Sequence, residues 1–170
     1  MIAMSDAEAL DEAPDSVRFW SKVVKGPRPS DCWIWTGAIG DDGYGRYWQR
    51  VPGGQRMWRA HRFAVTLVFG GGELSEHETV RHQSCDVPLC VHAALGADSH
   101  LILGSVAENN LDRSRAGRHA NMHSLRRSGG RRRDQVTASR ELRDHLLTHG
   151  WDAAFPTLLA GYSIDQEQLF

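Results

Sequence analysis

Cysteine is scarce in this 170-residue chain, with Cys32, Cys85 and Cys90 alone. So small and odd a number argues against a disulfide framework and leaves packing or metal binding as uses for the thiols. Lysine is scarcer still: Lys22 and Lys25 are the only two. Nearly all the positive charge is therefore guanidinium, which forks onto phosphate oxygens where lysine offers a point charge. Long apolar runs are absent, and none approaches the roughly 20 residues that cross a bilayer. The opening MIAMSDAEALDEAPDS has neither a basic start nor an apolar stretch of signal-peptide length, so a cytoplasmic protein that meets no membrane is expected. With 41% hydrophobic residues the chain suffices for one modest core plus appendages.

The net charge of -1 conceals an asymmetry. The first fifteen residues hold Asp6, Glu8, Asp11, Glu12 and Asp15 and no Lys or Arg, so residues 1–16 read as an acidic leader without fixed structure. Between Arg113 and Arg133 there are eight arginines and no acid, with Gly and Ser among them. Such a segment repels itself, and residues 119–135 are expected to form an extended linker, either solvated or ordered by a polyanion.

SVRFWSKV reads as a first helix capped by Ser16, with Val17, Trp20 and Val24 meeting one surface. RYWQR and QRMWR flank a PGG turn as strands of an antiparallel meander. Alternation puts Arg46, Trp48 and Arg50 on one face, and sets Arg56 and Trp58 opposite Gln55, Met57 and Arg59. A face of Arg, Trp and Gln suits the major groove of DNA, which admits a two-stranded ribbon. RAHRFAVTLVFGG continues as a mostly buried helix. From Thr79 to Arg118 the order is strand, loop, strand, helix, the last opened by a Ser105–Glu108 capping box. TASRELRDHLLTHG is a further helix with Leu142 and Leu146 on one stripe and Gly150 as its stop. The remainder, with Asp152 as a cap and an AGYS turn, reads as a helical tail over 136–170, of helix-turn-helix or packing type.

VRHQSCDVPLCVH, residues 80–92, concentrates the chemistry. Three cysteines need one more ligand to close a tetrahedral zinc site, and His100, at the start of the returning strand, is the best placed, with His92 as competitor. Three buried thiols acting as small hydrophobes are the alternative. A closed zinc shell holds a fold and hydrolyses nothing, so chemistry falls to its neighbours. His82 has an imidazole able to take a proton from water near neutral pH, and Asn109 offers a neutral oxygen to a hard cation such as Mg2+. Together they suffice for phosphodiester hydrolysis.

The blocks CWIWTGA, DGYGR, RAHRFA, RHQSCDVPLCV and HLILGSVAENN, in that order from about Phe19 to Arg118, resemble the phage and bacterial HNH endonucleases, whose core is similar to that of the His-Cys box homing endonucleases. The resemblance implies an α+β fold with a zinc-stabilised ββα-metal core over residues 17–118. It implies His82 as general base, Asn109 as ligand of one catalytic Mg2+ or Mn2+, and Cys32, Cys85, Cys90 and His100 as ligands of structural zinc. The nine-residue interval from zinc histidine to metal asparagine favours Asn109 over Asn110 and His100 over His92. An arginine from Arg46, Arg59 or Arg62 would stabilise the strained phosphate. Double-stranded DNA is the implied partner, gripped by Arg46, Trp48, Arg50, Arg56, Arg59, Arg113, Arg118, Arg131, Arg132 and Arg133. A homodimer would cut both strands, and the setting would be a bacterial or phage-infected cell.

Relatives read C-V-N-P-x-H after the second cysteine, whereas CVHAALGADSH has His92 for the Asn, no Pro, and five extra residues before His100. The loop behind the base must then be braced differently, at a cost in activity. Arg81 stands where some HNH enzymes carry an acidic second metal ligand, which implies a one-carboxamide site reliant on the scissile phosphate. A non-catalytic DNA-binding protein on the same zinc scaffold and a protein-interaction module are the rival functions.

Overall fold

The computed structural model describes residues 13–70, 74, 78–115 and 125–160. The fold is mixed α+β with three small antiparallel sheets. In chain order it runs α1 (Asp15–Trp20), β1 (Val23–Lys25), β2 (Trp33–Trp35), β3 (Arg46–Val51), β4 (Gly54–Arg59), α2 (Ala60–Phe69), β5 (Glu78–His82), β6 (Leu101–Ser105), α3 (Val106–Arg115), α4 (Leu125–His149) and α5 (Phe155–Ala160). The sheets pair β1 with β2, β3 with β4, and β5 with β6. Among the described residues no helix is long and apolar enough to cross a membrane.

The core is aromatic. Phe19 of α1 is fully buried, stacks on Trp35 at 4.9 Å, and meets Tyr47 edge-on at 5.3 Å and Phe63 at 5.2 Å. Such contacts add about 0.5–1.5 kcal/mol each beyond area burial. Helix α1 is shorter than expected: Pro14, not Ser16, stands at its cap, and Val24 lies in β1 paired with Ile34. The β-branched pair Val23–Val24 fits a pleated edge better than a third helical turn.

The β3–β4 ribbon turns on Pro52 and Gly53, with Val51 opposite Gly54 and Trp48 opposite Met57. Gly53 has φ +84, a conformation open to glycine at little cost. Tyr47 faces the core, while Trp48 and Met57 are 42% and 52% exposed on the other face. Helix α3 begins with the expected capping box: Ser105 N–H donates to Glu108 Oε2 at 2.7 Å, and Glu108 N–H donates to Ser105 Oγ at 3.2 Å.

The C-terminal helices correct one expectation. Residues 125–135, expected to be extended linker, are the first turns of the 25-residue α4. Its second half is anchored by buried Leu142 and Leu146, and once a helix is nucleated each further arginine, a good helix former, adds a hydrogen bond for one residue fixed. The described part of the tail is of the packing type, because Leu142, Leu146 and Phe155 belong to the same apolar cluster as Phe19 and Trp35. Gly150 ends α4 at φ +72, its N–H donating to the Leu146 carbonyl at 3.0 Å, as expected of a helix-stopping glycine. Asp152 caps α5 by accepting from the N–H groups of Ala154 and Phe155, both at 3.0 Å. The AGYS turn beyond Ala160 lies outside the described residues, as does most of the acidic leader.

Candidate metal centre and adjoining histidine site

Local backbone pairing assembles the thiols. Cys32 immediately precedes β2, and the loop after β5 docks on that strand: Trp35 N–H donates to the Leu89 carbonyl at 2.9 Å, and Val91 N–H to the Trp33 carbonyl at 2.8 Å. Ile34 thereby faces Cys90 in an isolated bridge. His100 arrives from the other side, where Gln83 N–H donates to its carbonyl at 2.8 Å and extends the β5–β6 pairing by one step.

The ligand atoms of Cys32, Cys85, Cys90 and His100 all lie within 4.8 Å of one another. Nδ1 of His100 is 3.6 Å from Cys32 Sγ and 3.5 Å from Cys90 Sγ. A tetrahedral zinc ion with about 2.3 Å to sulfur and about 2.05 Å to nitrogen separates those two atom types by about 3.6 Å, so the edges already have the right length. Nε2 of His100 sits 3.0 Å from the Ser30 carbonyl, which can only accept. The ring proton is therefore on Nε2, and Nδ1 turns its lone pair to the sulfurs, as a ligand's outer hydrogen bond should arrange. Cys32, Cys90 and His100 are buried and Cys85 partly so.

The three thiols are electrostatically coupled: hydrogen bonds from Cys32 and Cys90 push Cys85 down, the Cys85 hydrogen bond pushes Cys32 up, and burial pushes Cys90 up. The hydrogen bond to Cys85 raises His100. Binding of a divalent ion at such a cluster would displace the thiol protons. The residues fit an ion such as Zn2+, and the competitor His92 is not among them. Its buried ring stacks on Trp33 at 4.2 Å, and Nδ1–H donates to the Asp31 carbonyl at 2.8 Å. His92 thus ties the loop to the backbone next to Cys32.

His82 is the last residue of β5, paired with Leu101. Its Nδ1 lies 3.7 Å from Cys85 Sγ. With Cys85 as a metal-bound thiolate, which can only accept, Nδ1 would be the donor and Nε2 would keep its lone pair. Nε2 is itself buried and has no hydrogen-bond partner among the described residues. Beside it, 5.5 Å from ring centre to ring centre, lies His61 of α2, whose Nδ1 is in the same condition. Burial first, then His82 and the guanidinium groups of Arg59, Arg62 and Arg46, hold His61 well below its ordinary pKa. Asn109, half-buried, is the fourth residue of α3, which packs against both β5 and β6.

The arginines divide. Arg46 is largely covered and bonded to Asp42 at 2.8 Å, so its charge is balanced inside the fold. Arg59, 49% exposed, shares Asp42 at 2.9 Å and lies over Tyr44. Burial of Asp42 works against its charge, but the Arg46 hydrogen bond and the Tyr44 N–H outweigh it and lower its pKa. Trp48 and Arg50 are exposed on the outer face of the ribbon, while Arg56 lies on the other face, 4.1 Å over Trp58. Arg113 lies in α3 and Arg131, Arg132 and Arg133 in the first half of α4. Arg118 lies outside the described residues.

Asp42 and His61 were missed as site residues by the sequence reading. Both sit inside the blocks DGYGR and RAHRFA, Asp42 opening the first and His61 near the start of the helix in the second.

The fold and site define a mixed α+β protein with a Cys3His cluster suited to a tetrahedral metal ion. Over 89 residues, 52% of the chain, the sequence is 35% identical to Protein 2.8 of Escherichia phage T7. The match spans about half of that protein, 53% of its length. No family model matches the sequence, and no solved structure matches the fold.

Proposed function

We propose that this protein is a divalent-metal-dependent DNA endonuclease with an HNH-type ββα-metal core. The observation that carries the reading is the state of His82, at the end of the β5–β6 hairpin that runs into α3. One ring nitrogen is tied to a sulfur of the metal cluster and the other is left bare in a buried position. That is the tautomer a general base needs.

In this mechanism Nε2 of His82 takes a proton from water as the oxygen attacks phosphorus, and Cys85 holds the ring at an angle that keeps Nε2 directed at the water. Arg59 turns its exposed side to the phosphate. Asn109 is the residue to hold a Mg2+ or Mn2+ ion, which when bound steadies the leaving 3′ oxygen. Among the described residues the only group of three or more metal-ligating side chains is the Cys3His cluster, so Asn109 has no acidic cage around it. Phosphate oxygens and waters would complete that shell. The exposed ribbon face of Trp48, Arg50, Gln55 and Met57 fits the major groove, and the arginine half of α4 supplies phosphate contacts. A homodimer would present two such sites to the two strands.

Incubation of the zinc-loaded protein with supercoiled plasmid and Mg2+ or Mn2+ tests the reading. Nicking or linearisation is expected, abolished by EDTA and by His82→Ala and Asn109→Ala while duplex binding persists. Binding without cutting by wild type would instead identify a non-catalytic DNA-binding protein, and no duplex affinity even at low salt would identify a protein-interaction module.

A further inference from the structure

We propose that His61 supplies a second imidazole to the reaction centre, where it holds the attacking water against Nε2 of His82. The inference rests on the nuclease reading above and adds a residue to it.

His61 is the second residue of α2 and is 4% exposed. Its ring is tilted 53° to that of His82 at 5.5 Å, with Tyr44 at 5.3 Å as a further neighbour. Buried polar nitrogens in folded proteins nearly always have a partner. Here two of them, Nδ1 of His61 and Nε2 of His82, stand unpartnered on adjacent rings. Each orphan alone is a cost to the fold. Two on neighbouring rings point to one shared partner, a single oxygen at hydrogen-bonding distance, about 2.8 Å, from a nitrogen of each.

The surroundings specify the role. Burial first, then His82 and the guanidinium groups of Arg59, Arg62 and Arg46, keep His61 neutral beside His82. A neutral imidazole retains one N–H and one lone pair, enough to orient a water without removing its proton. The step balances as follows. The water oxygen forms its bond to phosphorus and gives one proton to His82, while the bond to the 3′ oxygen breaks and that oxygen leaves with the electron pair, taking a proton from solvent. His61 ends as it began.

A merely structural histidine would behave differently. Replacing an unpaired buried polar group by an apolar one of similar size is neutral or stabilising, so packing alone predicts that His61→Phe folds as well and cuts as well. On the present proposal His61→Phe keeps or raises the melting temperature, keeps zinc and duplex affinity in Ca2+, and loses about tenfold to a hundredfold in the single-turnover cleavage rate. His61→Gln, which restores a hydrogen-bonding group, recovers part of that rate. His61→Leu is a second apolar variant should the phenylalanine not be accommodated. Cleavage by the apolar variant at the wild-type rate, or a rate that falls only in step with duplex affinity, overturns the proposal while leaving the nuclease reading intact. Failure of the wild type itself to cut overturns both.

Discussion

Replacing Cys90 by serine tests the metal centre most directly. Cys90 is fully buried, its sulfur 3.5 Å from Nδ1 of His100, and serine occupies nearly the same space, so little of the effect arises from a cavity. Structural zinc contributes about 10–16 kcal/mol over its ligands, and the share of one ligand in four is about 2.5–4 kcal/mol. For a domain of this size each kcal/mol moves the melting temperature by about 2–4 °C, which gives a fall of about 5–16 °C. Total stability is typically about 5–15 kcal/mol, so the variant should sit near the limit of folding. The assay is thermal unfolding by circular dichroism beside zinc content by mass spectrometry, each with and without EDTA. Wild type should hold one zinc per chain and melt lower in chelator, and Cys90→Ser should melt low in both. Equal melting temperatures for the two proteins, or a zinc-free wild type indifferent to EDTA, would refute the reasoning.

Two further outcomes follow from charge. Asp42 accepts hydrogen bonds from Arg46, Arg59 and the Tyr44 N–H, so Asp42→Asn should cost about 2–3 kcal/mol at pH 7 in urea unfolding. Its folded pKa is depressed, so this contribution is present above about pH 4 and disappears as pH falls through the folded value. An equal difference between variant and wild type at pH 7 and pH 3 would contradict the clamp. His61 is held neutral in the fold and protonates readily in the unfolded chain, so stability drops as pH falls below about 6.5, by up to about 1.4 kcal/mol per pH unit for one proton. His61→Phe should remove about one proton's worth of that slope between pH 7 and 5, measured as the difference between the two unfolding curves.

What could be read from the sequence was local. The β3–β4 turn, the capping box at Ser105, the stop at Gly150 and the grouping of Cys85 and Cys90 with His100 each depend on residues close together in the chain, whose backbone preferences are written in their own types. Cys32 joins them from far upstream, and there the resemblance, with the demand of zinc for a fourth ligand, did what local pattern could not. Long-range packing was illegible. Nothing in the arginine run announces a helix, because what makes it helical is the burial of Leu142 and Leu146 further along. Asp42 was hidden for a similar reason: its chemistry depends on Arg59, brought beside it by the fold of the ribbon. His61 gains its interest only from the proximity of His82, 21 positions away and on another element.

The spacing of the four metal ligands also sets a sequence of events for the newborn chain. Cys90 and His100 are 10 residues apart, whereas Cys32 and His100 are 68 apart. Short loops close at small entropic expense and long ones at more, about 4 kcal/mol for a cross-link of the larger span. An ion captured early by the late-synthesised trio would wait for Cys32 to return, and that last bond would lasso the intervening ribbon and helix in a single stroke. Unlike a disulfide, such a knot is untied by chelation alone, which gives the experimenter a reversible handle on the order in which this chain finds its shape.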